Sequence, residues 1–169
     1  MMEALSNLIQ KSEHSKKHLW LLNRMMNHTV RFNKPHGFQV IKITPDHVQT
    51  FAPYHKKNFN HVKGIHACAI ATIGELAAGL LLMYHFNPKH YRIILSHMSI
   101  DYHYQAKKNI VATAALSLNE KEEIMQTLAQ QDKTQKIITT EVKDEDQQNI
   151  ATVKTQWQIK EWKNVQTKL

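Results

Sequence analysis

Apolar residues near the amino terminus recur three and four positions apart within a background rich in Lys and His. This spacing predicts one or two amphipathic helices, with apolar positions at Leu5, Leu8, Ile9, Leu19, Leu22, Met25 and Met26. The simplest interpretation is a helical segment, residues 1–34, that packs on the rest of the domain. The alternatives are a lid over an apolar ligand and a contact with a membrane surface.

After a break at Lys34-Pro35-His36-Gly37, residues 38–43 alternate in polarity and are rich in β-formers, which predicts a first strand. Residues 64–86 then contain one full charge, Glu75, near their midpoint. That length would span a bilayer, but a carboxylate at the centre of a bilayer costs about 2.5–3.5 kcal/mol on insertion scales. A run of β-type segments also follows. We therefore expect a buried helix in a soluble fold, and no transmembrane segment.

The carboxyl-terminal half alternates in the manner of strands. Two sets of apolar residues each share one parity and are predicted to face the central helix: Ile94, Met98, Ile100, Tyr102 and Tyr104 in the first strand, and Ile110, Ala112, Ala114, Leu116 and Leu118 in the second, with a turn at 105–109 between them. Asn119 and Glu122 have the spacing of a capping box and predict a helix to about Gln131. Two further strands are predicted at 135–143 and 150–162, and the last places Ala151, Val153, Thr155, Trp157 and Ile159 on one face.

The predicted order is that of an α+β fold in which an antiparallel sheet curls around one long central helix. The 169 residues suffice for a single domain, with an amino-terminal helical extension at 1–34 and a core at 38–162. The single cysteine, Cys68, excludes an internal disulfide and is typical of a reducing compartment. Because the amino terminus also lacks the pattern of a signal peptide, we expect a cytoplasmic protein.

The formal net charge of +8 indicates an anionic partner, such as nucleic acid, a membrane surface or a phosphorylated cofactor. Because Lys and Arg are spread along the chain, we expect no nucleic-acid binding.

Glu75 needs an explanation of its own, since burying a carboxylate costs free energy unless the group is paired with a cation or has a role in function. Burial would also raise its pKa and so make it a stronger base near neutral pH. The alternative is a salt bridge to a Lys or His.

Three residues carry a family resemblance: Asn60 stands six positions before His66, and Glu75 stands nine after it. This spacing resembles the phenylacetate-type branch of the hotdog acyl-CoA thioesterases, and the similarity is closest to thioesterase-like hotdog proteins with Glu in the helix and an added amino-terminal helical segment. The stretches Ser99-Ile100-Asp101-Tyr102 and 107–114 resemble the family's next strands. In this chain Ala67 and Cys68 stand where the family has Gly-Gly, and Glu75 stands where Asp is commoner.

The resemblance implies the hotdog fold and hydrolysis of an acyl thioester carried by coenzyme A or acyl carrier protein. It implies that the Ala67 N–H stabilises the oxyanion at the start of the helix, that Glu75 is the general base or the nucleophile, and that Asn60 orients the water or the carbonyl. His66 is a further catalytic candidate, or else a residue of the helix start. Each site would combine two subunits, in a homodimer or a dimer of dimers.

Lys107 and Lys108 are candidates for the phosphates of coenzyme A, although a solvated turn is the alternative for both. We expect no cofactor beyond the coenzyme A of the substrate, and no metal, since the His residues are scattered and Cys68 has no partner cysteine.

Two other functions stay open. His61, Gly64 and Glu75 keep the intervals of hotdog dehydratases, which act on 3-hydroxyacyl or enoyl thioesters, although the Pro-Gly turn before the dehydratase helix is missing. The second is a non-catalytic module that binds acyl thioesters.

Overall fold

The computed structural model describes residues 2–165, which form four α-helices, three short 3₁₀ helices and six strands. The helices are Met2–Ser12 (α1), Lys16–Thr29 (α2), Ala67–His85 (α3) and Leu118–Gln130 (α4). The strands are Gln39–Ile43 (β1), His47–Ala52 (β2), Tyr91–Tyr102 (β3), Ile110–Ala115 (β4), Lys133–Asp144 (β5) and Asn149–Glu161 (β6).

The six strands form one antiparallel sheet in the order β1-β2-β4-β5-β6-β3. The sheet curls around α3, which contacts β2, β4, β5 and β6. The predicted hotdog architecture is therefore confirmed. The strands at the two edges of the sheet are β1 and the 12-residue β3.

Helix α3 is apolar nearly all round because both the sheet and the amino-terminal helices cover it. By length and composition α3 could cross a membrane, but 56% of its most apolar window is buried inside the fold. Its second half, including Leu80, Leu81 and Leu82, shares one core cluster with Leu8 and Ile9 of α1 and Leu22 of α2. The helix is thus the core helix that the sequence predicts.

The structure differs from the sequence predictions in three places: it has an additional strand, β2, the cap of α4 lies earlier, and the alternation of β3 is shifted. Strand β2 was not predicted, because its inward positions are Val48, Thr50 and Ala52, which give a weak apolar signal. The cap of α4 is Ser117 with Glu120, two residues before the predicted pair Asn119 and Glu122.

Because α4 begins earlier than predicted, Leu118 is its first residue and is exposed. It does not continue the inward face of β4 as the alternation predicts. In β3 a register shift between Leu95 and His97 reverses the alternation. Ile93 and Leu95 therefore pack against the core, whereas Ile94, which was predicted on the inward face, is 49% exposed.

Candidate active site

One face of α3 is not covered by the sheet. Cys68, Thr72, Glu75 and Gly79 follow one another at helical spacing along this face. Cys68 is exposed, and Thr72 and Glu75 are partly exposed, whereas Ile73 and Ala77 on the opposite face are completely buried. Glu75 therefore projects from the side of the central helix that faces away from the sheet.

Glu75 lies in the wall of a cavity of about 530 Å³ between α3, the edge strand β3 and the end of α2. This volume is in the range of small-molecule sites, about 300–1,000 Å³. Most of its lining is apolar, and the amino-terminal extension contributes to it directly; the lining includes Met26, Leu76, Met83, Leu95, Met98 and Trp157. The cavity can therefore hold an apolar chain beside a carboxylate.

The carboxylate of Glu75 makes no hydrogen bond and no ion pair within residues 2–165. Burial raises the pKa of Glu75, because the apolar surroundings disfavour its charged form and no cation offsets that cost. The salt bridge that would have explained the charge structurally is therefore not formed with any of the residues 2–165. A carboxylate of this kind is a candidate general base.

Two strand threonines hold α3 at the positions just before Glu75. The buried hydroxyl of Thr50 in β2 donates to the carbonyl oxygen of Ile73 at 2.6 Å. The buried hydroxyl of Thr140 in β5 donates to the carbonyl oxygen of Gly74 at 3.4 Å. These bonds, together with the close packing of Gly74 on Val153, fix the position of Glu75 relative to the sheet.

Two further polar residues of the cavity were missed by sequence reasoning. The indole N–H of Trp157 is buried and finds no acceptor in the described part of the chain. Asn33, which is 3% exposed, also lines the cavity. The alternation of β6 predicts that Trp157 is buried, but no local signal places either residue beside Glu75.

The start of α3 is organised by His66 and Asn60. The Nδ1 atom of His66 accepts a hydrogen bond from the Cys68 N–H at 3.0 Å, so this side chain caps the helix. The Oδ1 atom of Asn60 accepts from the N–H groups of Val62 and Gly64, at 3.0 and 2.9 Å. These contacts give both residues a role in the conformation of the loop and helix start.

Ala67 is the first residue of α3 and is exposed, and its N–H has no acceptor among residues 2–165. It keeps the property that oxyanion stabilisation requires, a free donor at the positive end of a helix. Asn60 and Ala67 share a shallow surface pocket with Tyr102, separate from the cavity of Glu75. Eight residues, or about 12 Å of helix axis, separate Ala67 from Glu75. Within the described part of one chain, these candidates are therefore not brought together.

The other candidates lie outside the cavity of Glu75. His61 is exposed in the turn before α3, and Gly64 packs against the side chain of Gln105. Lys108 forms an ion pair with Asp146, and Lys107 is exposed in the same turn region. Within residues 2–165 no group of three or more His, Cys, Asp or Glu side chains is placed to hold a metal ion.

Several solved structures share this architecture. A protein of unknown function from Pseudomonas aeruginosa, described as a probable thioesterase, matches with a TM-score of 0.77 and 20% sequence identity, over 83% of this chain and 94% of that chain. A putative thioesterase from Shewanella oneidensis matches with a TM-score of 0.69 and 13% identity, over 92% and 97%. A protein of unknown function from Chlorobaculum tepidum matches with a TM-score of 0.73 and 11% identity, over 89% and 98%.

No protein of curated function gives a sequence match. The sequence profile of the family described as "Domain of unknown function (DUF4442)" matches residues 17–159, most of the chain. The chain therefore belongs to the DUF4442 family, and its fold is that of the hotdog thioesterase-like proteins.

Proposed function

We propose that this protein hydrolyses acyl thioesters, with Glu75 as the catalytic carboxylate. The observation that carries the proposal is a largely buried carboxylate, without a partner among residues 2–165, in the wall of an apolar cavity. Its raised pKa makes it a better base near neutral pH, and the apolar lining matches an acyl chain. The thioesterase descriptions of the proteins from Pseudomonas aeruginosa and Shewanella oneidensis support the same reaction class.

In the proposed reaction, Glu75 takes a proton from a water molecule as the water oxygen forms a bond to the thioester carbonyl carbon. The N–H of Ala67 of the partner subunit donates to the resulting oxyanion. The tetrahedral intermediate collapses by breaking the C–S bond, and the proton on Glu75 passes to the departing thiolate. Direct attack by Glu75 is the alternative, and it would form an anhydride that water then hydrolyses.

The two mechanisms differ in where a water-derived oxygen appears. In a single turnover in ¹⁸O-labelled water, general-base catalysis places the label in the released acid. After direct attack, water addition to the Glu75 carbonyl carbon of the anhydride leaves the first product unlabelled and places the label on Glu75. Water addition to the acyl carbon labels the acid in both mechanisms, so a label on Glu75 is the result that identifies direct attack.

The proposed site joins two subunits of a homodimer. The supporting observation is that the Glu75 cavity and the Asn60–Ala67 pocket are separate within one protomer. The edge strand β3 is long and presents Met98 and Tyr102 with 36% and 50% of their surface exposed. Exposed edges of this length are normally covered by another chain or element. Pairing through β3 would bring the uncovered face of one α3 toward the helix start of the other.

The proposed substrate is an acyl-coenzyme A or acyl carrier protein thioester, and no other cofactor is required. Lys107 remains the candidate contact for a phosphate, since Lys108 is engaged by Asp146. The exposed thiol of Cys68 fits a reducing compartment, so we place the protein in the cytoplasm.

The proposed assembly is a homodimer, or a tetramer formed from two such dimers.

Hydrolysis of acyl-coenzyme A of graded chain length, followed with a thiol reagent, tests the proposal. We expect thiol release by the wild type and a loss of about a hundredfold or more with Glu75→Gln. No release at any chain length, despite acyl-coenzyme A binding, would support the binding-module alternative. Loss of the enoyl absorbance of crotonyl-coenzyme A without thiol release, abolished by His61→Ala, would support the dehydratase alternative.

A further inference from the structure

The outward face of α2 combines cations with large apolar side chains. Lys17, Trp20, Leu21, Arg24 and His28 follow one another at helical spacing, and all five are exposed. Trp20 and Leu21 are 60% and 47% exposed, and the guanidinium of Arg24 lies 5.4 Å from the Trp20 ring centroid. Leu22, on the inward side of the same helix, is completely buried. The outward face is therefore not the one that packs on the domain.

The same surface continues past the end of α2. Val30 and Phe32 are 39% and 58% exposed and also line the cavity of Glu75. Arg31 and Lys34 are exposed beside them. We call the surface formed by Lys16 to Lys34 the α2 patch. It is continuous with one wall of the cavity.

The charge of this part of the chain has one sign. Between Glu13 and Asp46 there is no Asp or Glu, and the six cations are Lys16, Lys17, Arg24, Arg31, Lys34 and Lys42. The carboxylate of Glu13, at the border of the patch, accepts a hydrogen bond from the hydroxyl of Tyr84. The patch therefore presents cations with no carboxylate of its own to neutralise them.

We propose that the α2 patch docks on a bilayer surface that carries anionic phospholipids. Trp, Leu and Phe side chains enter the interface between headgroups and acyl chains, and Lys and Arg side chains pair with the phosphates. Each cation near such a surface strengthens binding by roughly fivefold. Docking places Val30 and Phe32, and with them one wall of the cavity, against the lipid.

The charge and the exposed apolar side chains of the patch favour an anionic bilayer over two other partners. Pairing of the patch with a second copy of itself would bring like charges together without a compensating carboxylate. A nucleic acid would match the cations, but its phosphate backbone offers nothing to the exposed aliphatic side chains of Leu21 and Val30. An anionic bilayer satisfies both components of the patch.

Flotation of the full chain with vesicles tests the proposal. We expect binding to vesicles of phosphatidylcholine with phosphatidylglycerol, much weaker binding to phosphatidylcholine alone, and a decrease on raising the salt concentration. Lys17→Glu with Arg24→Glu should weaken binding at least about tenfold. Trp20→Ala with Leu21→Ala should weaken it by a similar factor without lowering the thermal midpoint, since both side chains are exposed.

Matched controls lie on the outer face of the sheet. Lys133→Glu with Lys154→Glu makes the same change in net charge, and Ile137→Ala removes an exposed apolar side chain; all three positions are exposed. These variants should bind like the wild type. The proposal is overturned if neither vesicle binds, if the controls weaken binding as much as the α2 variants, or if duplex DNA binds more tightly than the anionic vesicles.

Discussion

Glu75 and Trp157 lie beside Gly79 in the wall of one cavity. A Cβ atom built on Gly79 would lie 3.1 Å from Cη2 of Trp157 and 3.9 Å from Oε1 of Glu75. A residue without a side chain therefore leaves the indole and the carboxylate close together in the same cavity wall. The indole N–H of Trp157 is buried and has no acceptor among residues 2–165.

Gly79→Ala should impair the hydrolysis of acyl thioesters while changing the thermal stability of the protein only slightly. The added methyl group forces the indole of Trp157 to shift and narrows the cavity next to Glu75, while alanine is the better helix former by about 1 kcal/mol. We expect a raised KM for acyl thioesters and a small change in the thermal midpoint. Steady-state kinetics and thermal denaturation measure the two effects, and an unchanged KM would contradict the expectation.

Gly74→Ala makes the same substitution earlier in α3, and it should mainly lower the stability of the fold. It is therefore the matched comparison for Gly79→Ala. A Cβ on Gly74 would lie 2.8 Å from Cγ2 of Val153, which is completely buried, so the packing between α3 and β6 must open. Overpacking of this kind costs about 1–3 kcal/mol. Urea denaturation should show this loss, and Val153→Ala in the same chain should recover part of it in a double-mutant cycle. Additive losses would mean that the two residues do not clash.

The ionisation of Glu75 should make both activity and stability depend on pH. Because burial raises the pKa of Glu75 in the folded state, the folded protein favours the neutral carboxyl group and loses stability as pH rises through this raised value. Glu75→Gln should therefore raise the thermal midpoint at neutral pH, with a difference that shrinks at acidic pH. Wild-type hydrolysis should increase over the pH range in which the carboxyl group ionises. If Glu75→Gln is less stable than the wild type at neutral pH, the expectation is wrong, and the charged form of Glu75 must be stabilised by a cation in the folded protein.

If each site uses residues of two subunits, mixing subunits of two inactive variants, Glu75→Gln and Asn60→Asp, should restore part of the activity. Asn60→Asp keeps an Oδ acceptor for the loop N–H groups of Val62 and Gly64 but removes the Nδ2 donor. A heterodimer of Glu75→Gln and Asn60→Asp subunits would contain one intact site. Random mixing after unfolding and refolding should then recover about one quarter of wild-type activity. Activity no higher than that of the separate variants would contradict a shared site.

The cap of α4 should contribute to stability in a pH-dependent way. The Ser117 N–H and hydroxyl donate to Glu120, which also pairs with Lys136, and the pKa of Glu120 is lowered to about 2. Its contribution is present above the unfolded pKa of about 4.3 and is lost as pH falls toward 2. Glu120→Gln should lower the thermal midpoint at pH 7, by less at pH 3. Glu122→Gln is the matched control, since Glu122 is exposed outside the cap.

The central helix, the strands β4 to β6 and the position of Glu75 could be predicted because each depends on a local pattern. A helix covered on most sides is apolar throughout, and a strand with one buried face alternates. Val153, Trp157 and Ile159 lie on the buried face that the alternation of β6 predicts. The resemblance through Asn60, His66 and Glu75 leads to the same fold.

Only the tertiary structure determines the features that depend on contacts between distant segments of the chain. Thr50 is inward-facing because its hydroxyl reaches the carbonyl of Ile73, a contact that no hydrophobic pattern encodes. The bulge in β3 depends on pairing with β6, so the exposure of Ile94 could not be read from alternation. Asn33 and Trp157 reach the cavity of Glu75 only through packing of the amino-terminal extension and the last strand around α3. The sequence alone determined the periodic elements, because periodicity is a property of neighbouring residues, whereas the cavity depends on contacts between residues far apart in the chain.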